Sequence, residues 1–245
     1  MASENCATVI LVGAGRMGTL IAARLEEVGG FELLGTYDVN NAAELDEAAP
    51  AADLVIDFSN KAALPHVVAY VARTNAALVS GTTGFSADEL AQVQALGESA
   101  RVIHSANYSL GVAVLKRVTA EAARALDGWD AEIVETHHNQ KADAPSGTAK
   151  LLLDAVDPAG ECPVAYGREG MVGARPSREV GMHSLRGGTV AGTHEVHFFG
   201  PDEEVCLTHR ATSRQIFVNG AVEAARRLLA RQEPGFYTFD QLMFE

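Results

Sequence analysis

The chain has no run of lysine and arginine and only three cysteines, Cys6, Cys162 and Cys206, none close to another. No apolar stretch approaches the about 20 residues needed to span a bilayer. Each shortage excludes a class. Without a basic face to offset a net charge of −13, there is nothing to hold a nucleic acid. An odd number of scattered cysteines builds no disulfide framework and fits reduced thiols in the cytoplasm. The opening residues, Met1 to Cys6, lack the cationic region of a secretory signal. His-Glu-x-x-His and paired-cysteine spacings are missing, so no metal centre is expected. Repeats and low-complexity segments are missing too. What remains is 245 residues, 47 % hydrophobic and 21 % charged, enough to bury a real core as one large domain or two modest ones.

The first hundred residues alternate short apolar runs with helical ones. Strands are expected at Ala7–Val12, Phe31–Tyr37, Leu54–Phe58, Ala77–Ser80 and Val102–Ser105. Helices are expected at Arg16–Val28, at Ala62–Asn75 with Pro65 in the first turn, and from Ser86 to about Ser99, where Ser86 and Glu89 form a capping box. Continuous apolar strands joined by helices predict a parallel doubly wound sheet. The character changes after residue 108. An Ala-rich helix over about Val112–Leu126 is followed by a β-prone run at Ala131–Val134, a polar loop and a helix at Ala149–Val156. Residues 157–177, rich in Gly and Pro, read as irregular. From Arg178 to Thr212 the pattern is strand-like, with Thr193–Phe199 and Val205–Ala211 as antiparallel neighbours, and Gln215–Ala230 is a closing amphipathic helix. The fold class is therefore α/β, a Rossmann-type sheet followed by a second α+β domain.

Gly13-Ala14-Gly15-Arg16-Met17-Gly18 lies between the first strand and the first helix, and Asp38 ends the next strand 20 residues after Gly18. Small residues let a backbone approach a pyrophosphate, the helix N-terminus holds its charge, and the carboxylate accepts from ribose hydroxyls. Dinucleotide binding is the reading, with a plain tight turn as the alternative. Asp38 repels a 2′-phosphate and Val39, Asn40 and Asn41 supply no cation, which favours NADH; Arg16 is the guanidinium that would permit NADPH. Gly81-Thr82-Thr83 and Ser105-Ala106-Asn107-Tyr108 stand at strand carboxyl ends, where ligands gather, although Gly, Thr and Asn also build ordinary turns.

The densest chemistry lies between Glu132 and Ala149. His137, His138 and Lys141 precede Ser146-Gly147-Thr148 at a helix start. Imidazoles and an ammonium can donate protons, and a helix N-terminus favours an anion, so the combination suggests chemistry on a small carboxylate. The plainer alternative is a strand end with solvated imidazoles and a serine N-cap. Asp143 reads as ordering the loop. His66 and His104 read as structural, and His197 as packed within a sheet. Arg186, Arg210 and Arg214 are candidate carboxylate partners whose geometry the sequence does not supply.

These residues resemble the bacterial 4-hydroxy-tetrahydrodipicolinate reductase (dihydrodipicolinate reductase) family. The resemblance is carried by Gly15 to Gly18, Asp57-Phe58-Ser59, Gly81 to Phe85, Ala106 to Ser109, and above all Glu135 to Ala149. Arg186-Gly187-Gly188, Gly192-x-His194-Glu195 and Thr208 to Arg214 complete it. Val12 stands where the family's first turn glycine often falls, and Val39 where many members carry a basic residue. The resemblance implies a dinucleotide-binding domain of residues 1–108 and 214–245, and a substrate-binding and tetramerisation domain of residues 109–213. It implies that His137 is a proton donor/acceptor and Lys141 a proton donor. His138, Gly147 and Thr148 would hold the carboxylates of a small cyclic dicarboxylate. Gly81 to Thr83 and Ser105 to Tyr108 would contact the nicotinamide half. A homotetramer in the diaminopimelate route to lysine is the implied setting. Two other readings are open: a dehydrogenase for another amino-dicarboxylate, and a dinucleotide-sensing regulator, which has no use for His137 with Lys141.

Overall fold

The computed structural model describes residues 6–245; residues 1–5, on which the reading of the leader largely rests, lie outside it. Two compact units are present, one running to Ser109 and resuming at Gln215, the other spanning Leu110–Arg214.

The first unit begins β1 (Ala7–Val12), α1 (Arg16–Val28), β2 (Phe31–Tyr37), α2 (Glu44–Glu47), β3 (Leu54–Asp57), α3 (Leu64–Thr74), β4 (Ala77–Ser80), α4 (Ala87–Ala95) and β5 (Arg101–His104). Residues of β3 and β4 are buried throughout, as strands covered on both faces must be. Helix α1 turns Gly18, Ile21 and Leu25 inward, three and four residues apart. The expected helix from Ala62 starts instead as a 3-10 turn at Lys61–Ala63, capped by the Asn60 side chain, with α3 proper beginning at Leu64 ahead of Pro65. The Ser86–Glu89 capping box is formed at α4. Strand β5 stops at His104, because the Ser105 hydroxyl bends the chain by donating to the Asn107 carbonyl at 2.7 Å.

The second unit contains α5 (Leu110–Ala125), β6 (Asp130–His137), α6 (Gly147–Val156), β7 (Val164–Ala165), β8 (Val180–Arg186), β9 (Gly192–Gly200) and β10 (Glu203–Ala211). Its mixed sheet runs β10-β9-β6-β8-β7, with β6 parallel to β8 and antiparallel to β9. Side chains alternate along each strand, so register decides what meets on a face. Ala131, Ile133, Glu135 and His137 are the buried set of β6. They face Val180, Met182, Ser184 and Arg186 of β8, while Phe198, Val196 and His194 of β9 oppose Ala131, Ile133 and Glu135. The apolar members form a core with Leu115 of α5 and with Ala149 and Leu152 of α6. The polar members continue the same rows beyond it.

His197 corrects an expectation. It sits between buried Val196 and Phe198, so the strand's alternation turns it to the opposite, half-exposed face. There Nδ1 bonds Glu204 at 2.5 Å and Nε2 lies 3.8 Å from Cys206 Sγ.

The chain returns to the first unit as α7 (Gln215–Ala230), β11 (Gly235–Tyr237) and α8 (Phe239–Phe244). The completed sheet is parallel throughout, in the order β11-β5-β4-β3-β1-β2. Because β2 lies on one side of β1 and β3 on the other, strand order reverses at β1, and its carboxyl end is the expected ligand position.

Candidate functional site

At the carboxyl end of β1, the three glycines do different work. Gly13 has φ 111°, and a Cβ there would sit 2.4 Å from the Phe58 carbonyl oxygen. A Cβ on Gly18 would lie 1.7 Å from the Gly13 carbonyl oxygen, so α1 can approach the turn only as glycine. Gly15, by contrast, faces open space: nothing lies within 4 Å of its Cβ position. It is the N-cap of α1, and no side chain caps the helix there. The first-turn amides and the positive end of the helix dipole therefore have open space beside them, which fits a pyrophosphate. Arg16 is exposed beside it. Asp38 follows β2 with one carboxylate oxygen accepting from the Asn40 amide at 2.8 Å, which fixes its orientation, and Val39 beside it is 77 % exposed.

Met17, Gly81, Ser105, Ala106 and Tyr108 line an open cavity of about 170 Å³ together with Phe58 and Phe217. Tyr108 is held from behind: its hydroxyl donates to the Ser80 carbonyl at 2.8 Å, and its ring packs against Phe58 and Phe239. The Ser59 and Ser80 hydroxyls donate to Asp57 at 2.5 and 3.1 Å. Burial raises the pKa of Asp57 despite these bonds, and burial raises that of Tyr108 too. Thr82 builds the loop, accepting from the Ser59 amide on its hydroxyl and bonding His104 through its carbonyl. Asn107 likewise turns inward, its side-chain oxygen accepting from the Ser109 amide, while Thr83 is exposed. Phe58 carried a signal, an aromatic just past a strand end at the switch point. Phe217 carried none, since it arrives on α7 more than a hundred residues later.

In the second unit the hub is Glu135, 0 % exposed. Its carboxylate accepts from His137 Nδ1 at 2.5 Å, from both Arg186 terminal nitrogens at 2.8 and 2.9 Å, and from the Ser146 amide at 3.2 Å. Burial opposes its ionisation, but the bonds from Arg186, Ser184 and His137 outweigh it and hold the pKa at about 2. For His137, burial lowers the pKa while Glu135 resists. His194 stands edge-on to His137, with Nε2 3.0 Å from the Ser146 hydroxyl and Nδ1 without a partner among the described residues. Burial, aided by the neighbouring His137, pushes its pKa down to about 4. Gly192, at φ 153°, closes the group: a Cβ there would come 3.1 Å from His137 Nε2.

Lys141 Nζ donates to both Asp143 oxygens at 2.8 and 3.0 Å, so Asp143 does order the loop. His138 follows β6, half-buried. Ser146 caps α6 by accepting from the Ala149 amide at 3.1 Å, and Gly147, exposed at the first helical position, has open space around it. Thr148 follows, half-buried. Arg186 spends both terminal nitrogens on Glu135 and on the Asp143 and Leu185 carbonyls, so it shapes the site and is not free to take a substrate carboxylate. Sequence reasoning gave no role to Glu135, His194 or His209. The signal was the period of two, which puts Glu135 and His137 on one face.

Comparison with known proteins decides the family. The model of the dihydrodipicolinate reductase N-terminus matches residues 7–108, and that of its C-terminus matches residues 111–243. The chain belongs to the dihydrodipicolinate reductase family. It is 40 % identical over 238 residues to the 4-hydroxy-tetrahydrodipicolinate reductase of Caldanaerobacter subterraneus, covering 94 % of each chain. With the reductase of the same name from Staphylococcus aureus it shares 40 % over 243 residues, 96 % of this chain and 99 % of that one. Dipicolinate-bound dihydrodipicolinate reductase from Paenisporosarcina sp. TG-14 has the same fold at a TM-score of 0.77 and 21 % identity, covering 98 % of this chain and 100 % of that one. Within this family the first unit carries the features of a nicotinamide-dinucleotide site, and the second carries the histidine–lysine loop.

Proposed function

We infer that the chain is a 4-hydroxy-tetrahydrodipicolinate reductase, an NAD(P)H-dependent oxidoreductase of the diaminopimelate route to lysine. The observation that carries this is the loop from His137 to Thr148, with two imidazoles, an ammonium and an open helix N-terminus in one unit of a chain whose other unit has a dinucleotide turn. Gly13, Gly15, Arg16, Met17 and Gly18 would hold the pyrophosphate, Asp38 the adenosine ribose, and Gly81 to Thr83 with Ser105 to Tyr108 the nicotinamide half. A bound reduced nicotinamide supplies hydride for the double bond conjugated with the substrate's cyclic imine. NADH is the cofactor that the carboxylate of Asp38, exposed Val39 and the lack of a following cation favour.

His138 and the amides of Gly147 and Thr148 would bind the two carboxylates, using the α6 dipole. Asp143 holds the Lys141 ammonium in place, and Lys141 and His137 supply the proton that accompanies reduction. The chain would assemble as a homotetramer. The test is loss of NADH absorbance with freshly generated cyclic substrate, compared with aspartate-like dicarboxylates. Turnover confined to the cyclic substrate and depressed in Lys141→Ala is expected. No turnover with either cofactor, or undiminished turnover in Lys141→Ala, would overturn the reading.

A further inference from the structure

The chemistry assigned to His137 requires one ring nitrogen to be available and the other to be fixed, and the structure contains a device for this outside the His137–Thr148 loop. Glu135 precedes His137 by two residues, so the pleat of β6 puts both on the same face. Its carboxylate is fully buried and meets three separate elements: His137 on β6, Arg186 at the end of β8, and the Ser146 amide heading α6. A carboxylate held ionised accepts hydrogen bonds and donates none. The bond at 2.5 Å therefore places a proton on Nδ1 of His137. Nε2 is left as the atom that gains or loses a proton, and the space beside it is kept open by Gly192, whose missing Cβ would stand 3.1 Å away.

We propose that Glu135 is the positioning residue of this site, fixing the tautomer and ring orientation of His137 while locking the N-terminus of α6 and Arg186 to the same point. The proposal rests on the proton-transfer role given to His137 above. Arg186 has a definite part in it. Alone, Glu135 would raise the proton affinity of His137 strongly; the guanidinium, which donates to both carboxylate oxygens, moderates that pull. Lys141 pushes in the same direction as Arg186, and His194, edge-on to the ring, is itself kept neutral by burial. With burial the largest part, the net effect is a pKa below the ordinary imidazole value even though the ring lies against an anion. Merely filling space would not require this arrangement: a buried charge with four bonds is costly to desolvate, and an apolar side chain in its place would pack more cheaply.

The first experiment is imidazole NMR on the isotope-labelled wild-type protein, with resonances assigned through His137→Gln. A proton on Nδ1 and a bare Nε2 in the neutral ring are expected, and a proton on Nε2 would overturn the proposal. This measurement needs no change at Glu135 and stands even if a variant there fails to fold. The second is Glu135→Gln, which keeps the shape and removes the charge. The midpoint of His137 titration should fall, the acid limb of the kcat profile should move with it, and kcat should drop on the order of 100-fold while KM for NADH stays within about two-fold. An unmoved midpoint with unchanged kcat would refute the role of Glu135. Full turnover in His137→Gln would instead sink the proton-transfer reading, so the two failures are distinguishable.

Discussion

Substituting the glycines of the first turn one at a time separates packing from binding. In Gly18→Ala the new methyl would lie 1.7 Å from the Gly13 carbonyl oxygen, about half a normal carbon–oxygen contact. The obstruction is backbone, so no rotamer relieves it, and α1 must move away from β1. Overpacking of this kind costs about 1–3 kcal/mol. For a unit of this size that is roughly 3–10 °C in Tm. The same movement displaces the amides that face the pyrophosphate, so NADH affinity falls as well. Gly15→Ala is the counterpart. Its φ of −76° suits alanine and its Cβ direction is empty, so folding changes by no more than about 1 kcal/mol, the gain from a stiffer unfolded chain offset by alanine's poorer capping of α1. Its methyl nevertheless enters the space that the phosphates need. Losing one charge-assisted hydrogen bond, worth about 1.5–3 kcal/mol, weakens NADH binding roughly 10- to 100-fold. The assays are thermal unfolding without cofactor and fluorescence titration with NADH. The reasoning fails if Gly15→Ala binds NADH as tightly as wild type, or if Gly18→Ala melts no earlier.

His138→Ala should raise KM for the cyclic substrate by about 10- to 100-fold, with kcat little changed, because it removes a carboxylate contact and not the proton source; steady-state kinetics would show the split. Val39→Arg, at a 77 % exposed position beside Asp38, should leave Tm unaltered and raise the NADPH-to-NADH ratio of kcat/KM by about ten-fold, measured with both cofactors. Acid should destabilise the second unit in two stages. His194 is held at about 4 against an ordinary 6.5, so the unfolded chain binds its proton first and stability falls as pH drops through that window. Glu135, held at about 2 against 4.5, extends the loss below that. Unfolding midpoints followed downward from neutral pH should decline from about pH 6.5, and a flat curve to pH 5 would contradict the assignment.

Much of this was legible in the sequence where a local rule decides. Ala7–Val12, Phe31–Tyr37 and Ala77–Ser80 are short β-prone runs bounded by turns, and the strands have those limits. The Ser86 capping box and the Gln215–Ala230 helix are also local patterns, and they form as read. Other features depend on distant partners. Gly235–Tyr237 has too few residues for any periodicity, and becomes a strand only because β5 offers an open edge at Arg101 to Ile103. Phe217 reaches the cavity of Met17 and Tyr108 only through the return of α7. Arg186 looked available to a substrate, yet its partner 51 residues away takes both of its terminal nitrogens.

The second unit shows why its site was only half visible. Across the sheet, the row through Ile133 is Met182, Ile133, Val196 and Leu207, all apolar; the next row is Ser184, Glu135, His194 and His209, all polar. One alternation of side chains thus builds both the core and the chemical group, and the change happens within two residues of each strand. Read along the chain, Glu135 looks like one charged residue in a strand and His194 like one histidine in another. Read across the strands, they are adjacent at a point where water is excluded: burial keeps His194 neutral, while the bonds from Arg186, Ser184 and His137 hold Glu135 ionised against it. The apolar row is what gives the polar row its strength: it fixes the register, and a slip by one residue would send Glu135 and His137 to the outer face together. Substitutions at Ile133 or Val196 should therefore damage the site through register before they damage it through lost area.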